Sequence, residues 1–142
     1  MKQRELLPAV LAALRQTSVT EIVVVEGAHT LEVPGARVVR CPDWERGPGA
    51  SLRCGLAALG PDVERALIVL ADGPGLDPLA VERVLASGEP VVAASYDGTR
   101  SHPVALARSA WAAVPDEGGR GLDPVLVDCS DLRPPGDIDV RP

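Results

Sequence analysis

The run from Ala66 to Ala71 is almost unbroken apolar sequence, with Leu67, Ile68, Val69 and Leu70 inside it. Asp72 ends it, and the turn formers Gly73, Pro74 and Gly75 follow. A run this short, without polar alternation and bounded by turn residues, reads as a strand covered on both faces, as in a parallel sheet. Asp77-Pro78 then opens a helix: the Asp side chain can accept from the first free N–H groups, and Pro suits the first helical position. Asp72 is thereby placed at the carboxyl end of a central strand, where open α/β sheets bind their ligands. A turn carboxylate that satisfies only local N–H groups is the plainer alternative.

The rest of the chain alternates in kind. Residues 5–15 carry Leu6, Leu7, Val10, Leu11 and Leu14 on one helical face. Strands are expected at 21–27 and 36–41, then a turn-rich loop at 42–50, and a helix at 51–59 striped by Leu52, Leu56 and Leu59. After the 65–72 strand comes a helix at 78–86 stopped by Gly88, then a strand at 90–96. Asp97-Gly98 is a hairpin signal, with a return strand at 103–108. A short helix capped by Ser109 and a last strand at 125–129 complete the reading. No repeat or composition break divides the chain, so residues 1–142 are expected to form a single domain, α/β in class, with a mostly parallel sheet and one hairpin.

With two Trp, one Tyr and no Phe, the core must be aliphatic. The net charge of −6, with cations spread along the chain as one lysine and thirteen arginines, argues against nucleic-acid binding. Cys41, Cys54 and Cys129 are an odd number without a CxxC pair, so reduced thiols in a cytoplasmic protein are the expectation. The opening residues lack signal-peptide character and no apolar run reaches membrane-spanning length, so no membrane partner is expected.

Three constellations could carry chemistry. Asp72 could share a Mg²⁺ with Asp137 or Asp139, because hard cations prefer oxygen ligands and keep phosphate oxygens in their shell. The loop Gly47-Pro48-Gly49-Ala50-Ser51 opens a helix whose first N–H groups are unpaired, and with Arg53 it could grip a nucleotide's base or phosphates. It is neither GxGxxG nor a Walker loop, and a flexible connection with an exposed arginine is its alternative. His102, before Pro103, could hydrogen-bond a substrate; the other histidine, His29, lies in a different loop.

Taken in order, these residues resemble the molybdenum-cofactor nucleotidyltransferases, particularly the cytidylyltransferase branch. Pro42-Asp43-Trp44, Gly47, Gly49 through Arg53 and Gly55-Leu56 are similar to that family's PDW…SLR-x-GL segment. Leu70-Ala71-Asp72-Gly73-Pro74 is similar to its metal-binding turn, and Tyr96-Asp97-Gly98, His102-Pro103-Val104 and Trp111 to its hairpin. Asp116, Gly118 and Arg120 match a further segment, and Asp137-Ile138-Asp139 the closing DID.

The resemblance implies a Rossmann-like three-layer αβα sandwich. It also implies transfer of CMP or GMP from an NTP to a phosphorylated acceptor such as molybdopterin cofactor, with release of pyrophosphate. Asp72 and Asp139 would then hold Mg²⁺, Gly49, Ser51 and Arg53 the nucleotide, and His102 and Arg120 the acceptor. The family's opening strand and Gly-rich loop have no counterpart here, so the expected fold lacks its first strand and the expected activity is impaired. The exposed neighbouring edges would favour a homo-oligomer. A non-catalytic remnant that binds a nucleotide or a partner is the alternative.

Overall fold

The computed structural model describes residues 3–26, 35–42, 44–71, 73–118 and 122–135. Among these residues, three α-helices and six strands follow in the order α1 (Gln3–Leu14), β1 (Val23–Glu26), β2 (Arg37–Arg40), α2 (Pro48–Ala57), β3 (Arg65–Ile68), α3 (Pro78–Ala86), β4 (Val91–Tyr96), β5 (Thr99–Ala107) and β6 (Val125–Asp128). Short 3-10 turns lie at Trp44–Arg46 and Arg108–Ala113. The fold is α/β, with no closed barrel among the described strands, which form a two-stranded sheet β1-β2 and a four-stranded sheet β3-β5-β4-β6. The pairs β1–β2 and β4–β6 are parallel, and β4–β5 is the antiparallel hairpin. No described helix is long and apolar enough to cross a membrane.

The chain divides into two compact units. The first takes Met1–Val19, Leu67–Leu106 and Pro124–Pro142; the second takes Thr20–Ala66 and Ala107–Asp123. In the first, Leu7, Val10, Leu11 and Leu14 of α1 are buried, as their spacing requires. Its centre is small and aliphatic: Ala80 and Val84 of α3 meet Val92, Ala94 and Tyr96 of β4, Ala105 of β5 and Cys129. Small side chains at these positions let helix and sheet approach closely, and the missing aromatic bulk is not needed. Asp77 caps α3 by accepting from the Leu79 N–H at 2.9 Å, with Pro78 in the first turn. Asp97 (φ 53) and Gly98 (φ 80) both adopt the left-handed conformation that a two-residue hairpin demands.

In the second unit, α2 closes on β1 through Gly55, where a Cβ would stand 2.6 Å from a Val25 methyl. Glu21 accepts from the Arg37 guanidinium (2.8 Å) and the Gly60 N–H (3.2 Å), and Arg37 also donates to the Ala58 carbonyl. Arg108 gathers the carbonyls of Gly60, Pro61 and Val63 with one nitrogen and stacks 4.6 Å over the Trp111 ring.

Four expectations are corrected. The strand expected through residue 72 ends at Ile68 and lies at the edge of its sheet, and Leu70 is 43% exposed. The helix expected from Ser51 already begins at Pro48. The segment at 108–113 is a 3-10 turn without a side-chain cap, so Ser109 does not perform that role. Cys41 and Cys54 are not reduced thiols: they form a disulfide with Cα atoms 6.0 Å apart, and Cys129 is the free cysteine.

Candidate functional site

Gly47, Gly49, Ser51 and Arg53 come together at the start of α2, facing the stretch 114–118 of the same unit. Gly47 (φ 131) precedes the helix in a conformation that favours glycine. At Gly49 a Cβ would lie 1.6 Å from the Pro115 carbonyl oxygen, so only hydrogen fits there. The Gly49 N–H donates to the Asp116 carbonyl at 2.8 Å, and the Ala50 N–H to the Gly47 carbonyl at 3.2 Å. Donors that the sequence suggested were open to a phosphate are therefore engaged within the chain. Ser51 is half-buried.

Arg53 is also engaged. One of its nitrogens donates to the Val114 carbonyl at 2.6 Å and another to the Asp116 carboxylate at 2.5 Å. That hydrogen bond holds the Asp116 carboxyl below its ordinary range, with Arg46, at 3.9 Å, adding attraction. Arg53 thus clasps the 114–116 backbone, and Gly49 is small because that backbone passes over it. Sequence reasoning assigned both to a nucleotide and gave Asp116 no role in the site.

His102 lies on β5, not in a loop. It is half-buried, and its carbonyl accepts from the Tyr96 hydroxyl at 3.3 Å. Burial pushes that phenol up to about 12. Asp72, Asp139 and Arg120 lie outside the described residues. Among the described residues, no cluster of three or more His, Cys, Asp or Glu could hold a metal.

The stretch just after Asp72 meets residues 134 and 135. The Gly73 N–H donates to the Leu70 carbonyl (3.1 Å), the Leu76 N–H to the Gly73 carbonyl (3.2 Å), and the Gly75 N–H to the Pro135 carbonyl (3.3 Å). A Cβ at Gly73 would lie 3.3 Å from the Pro135 ring, and one at Gly75 would lie 3.0 Å from the Pro135 oxygen. The two glycines after Asp72 therefore make room for the segment that leads to Asp137 and Asp139.

The sequence profile of the MobA-like NTP transferase domain matches residues 1–128. The chain belongs to this family. Its function is accordingly of the nucleotidyltransferase type, with a nucleotide as substrate. Solved structures agree on a Rossmann-like fold. The Rv0371c protein of Mycobacterium tuberculosis H37Rv is 23% identical, with a TM-score of 0.69 over 87% of this chain and 74% of that one. Its homologue from mycobacterium sp. strain JC1 is 22% identical, with a TM-score of 0.68 over 87% and 72%. A third structure is the Rv0371c complex with manganese, 22% identical, with a TM-score of 0.68 over 87% and 76%. No curated protein matches the chain.

Proposed function

We propose that this domain transfers a nucleoside monophosphate, CMP or GMP, from an NTP to a phosphorylated acceptor such as molybdopterin cofactor, releasing pyrophosphate. Asp72 and Asp139 are the proposed holders of one divalent cation. The observation that carries the reading is the contact between the stretch just after Asp72 and the stretch just before Asp137, fastened by the Gly75 N–H on the Pro135 carbonyl. Carboxylates suit Mg²⁺ or Mn²⁺ equally well by donor type, and Rv0371c, a structural neighbour, has been crystallised with manganese. The bound cation supplies charge neutralisation of the triphosphate. Gly49, Ser51 and Arg53 are proposed to face the nucleotide, and His102 and Arg120 the acceptor.

Pyrophosphate release from CTP and from GTP, with Mg²⁺ or Mn²⁺ and the molybdopterin acceptor, tests the reading. Asp72→Asn and Asp139→Asn should each lower the rate by about 10²-fold or more, the scale expected when charge stabilisation in a closed site is lost. Wild-type rates in both variants would remove the two aspartates from the chemistry.

A second reading, nucleotide or partner binding without catalysis, is favoured by the engagement of Arg53 with Val114 and Asp116. A midpoint raised by CTP or GTP without any pyrophosphate release would select it.

A further inference from the structure

The disulfide between Cys41 and Cys54 spans thirteen positions. The covalent loop it closes contains Gly47, Gly49, Ser51 and Arg53, all the residues of the proposed nucleotide segment. It joins the residue that follows β2 to the middle of α2. The two sulfurs differ in access: Cys41 is 1% exposed, whereas Cys54 is half-buried. A thiolate arriving from solvent therefore meets Cys54, and access decides which sulfur is attacked. Cys129 is free, but it is buried within the other unit, and burial pushes its thiol up, so it is a poor attacking group.

The loop has two kinds of tether. Arg53 and the Gly49 N–H bind it to residues 114–116 through hydrogen bonds, which no thiol exchange breaks directly. The disulfide ties it to the end of β2, and this tether can be opened chemically. Disulfides persist in oxidising compartments and are mostly transient or redox-sensing in reducing ones.

We infer that Cys41–Cys54 is a thiol-exchange site that takes a small dithiol reductant at Cys54 and sets the freedom of residues 42–53. A reductant thiolate bonds to the Cys54 sulfur as the bond to Cys41 breaks. The electron pair leaves on the Cys41 sulfur, which takes up a proton. The reductant's second thiolate displaces the Cys54 sulfur, which is protonated in turn. The protein gains two electrons and two protons, and the dithiol becomes a cyclic disulfide. The consequence for ligand binding rests on the nucleotide reading of this loop; the exchange itself does not.

The experiment uses the full chain purified without reductant, before and after dithiothreitol. Thiol titration in denaturant should count one thiol before reduction and three after. Trypsin cleavage after the exposed Arg46 should accelerate about tenfold on reduction, with an unchanged far-UV spectrum, as expected for local release. Cys54→Ser should cleave at the fast rate without reductant; if that variant does not fold, the wild-type pair of states decides alone. Three thiols before reduction, or equal cleavage rates in both states, would overturn the exchange site. Thermal shifts with CTP or GTP and Mg²⁺ should differ between the two states. Equal shifts overturn the link to ligand binding. No shift in either state, alongside switched cleavage, supports the exchange site and removes the nucleotide reading.

Discussion

In the first unit an aliphatic centre of Ala80, Val84, Val92, Ala94 and Ala105 is sealed by helix α3 and strands β4 and β5. Among the described residues, the second unit buries fewer apolar side chains, chiefly Val24, Leu56, Ala66, Trp111 and Val114. It is held instead by a disulfide and by arginines that collect backbone carbonyls: Arg37 on Ala58, Arg53 on Val114, and Arg108 on residues 60–63. Burial is non-directional and depends on area removed from water, whereas staples act at named atoms and answer to solution chemistry. The segment proposed to bind nucleotide belongs to the stapled unit, and the stretches flanking the proposed metal aspartates belong to the buried one.

The largest expected effect that sharpens this contrast is in the first unit. Leu106 is fully buried, so Leu106→Ala should cost about 2–5 kcal/mol by urea unfolding, whatever the redox state. Next comes reduction of Cys41–Cys54, which should cost about 3 kcal/mol for a loop of this length. Hydrogen exchange should place that loss in the second unit; an equal loss of protection in β4 would break the distinction. Gly49→Ala should cost about 1–3 kcal/mol, because its methyl overlaps the Pro115 carbonyl and residues 114–116 must shift. Its exchange signature should centre on residues 47–53 and 114–118.

The smallest effect belongs to the exposed Arg83–Asp131 pair. Arg83 lowers the Asp131 carboxyl to about 2, against an unfolded value of about 3.9. Because the folded value is depressed, the contribution is fully present above the unfolded value and is lost as pH falls through the folded one. Asp131→Asn should therefore lose that contribution at neutral pH, a small loss because solvent screens both exposed side chains. It should flatten the stability slope between about pH 4 and about pH 2, measured as urea midpoints.

What the sequence disclosed depended on how local the cause was. The Asp77-Pro78 helix start and the Asp97-Gly98 turn were legible because each is decided within a few residues. The apolar run at 66–71 marked a strand but not its length or its place in the sheet, since hydrophobicity does not distinguish an edge from a centre. The disulfide was illegible because two cysteines thirteen apart meet only once α2 has closed on β1 and β2. Arg53 and Gly49 were recognised as special, and the reason given was a ligand. The structure supplies another, the backbone of residues 114–116, which no local pattern in 47–53 announces.

Strand β6 carries a consequence for handling the protein. It borders the four-stranded sheet with Val125 and Leu126 each nearly half exposed, and its outer backbone has no neighbouring strand among the described residues. Such a border invites other copies to stack along it, and flanking like charges act as gatekeepers. Exposed Asp123 and Asp128 stand on either side of those apolar residues. Ser130 holds the Asp128 carboxyl below its ordinary range, so this electrostatic fence persists further into acid than a bare aspartate would allow. Turbidity on acidification should accordingly set in earlier for Ser130→Ala than for the parent chain.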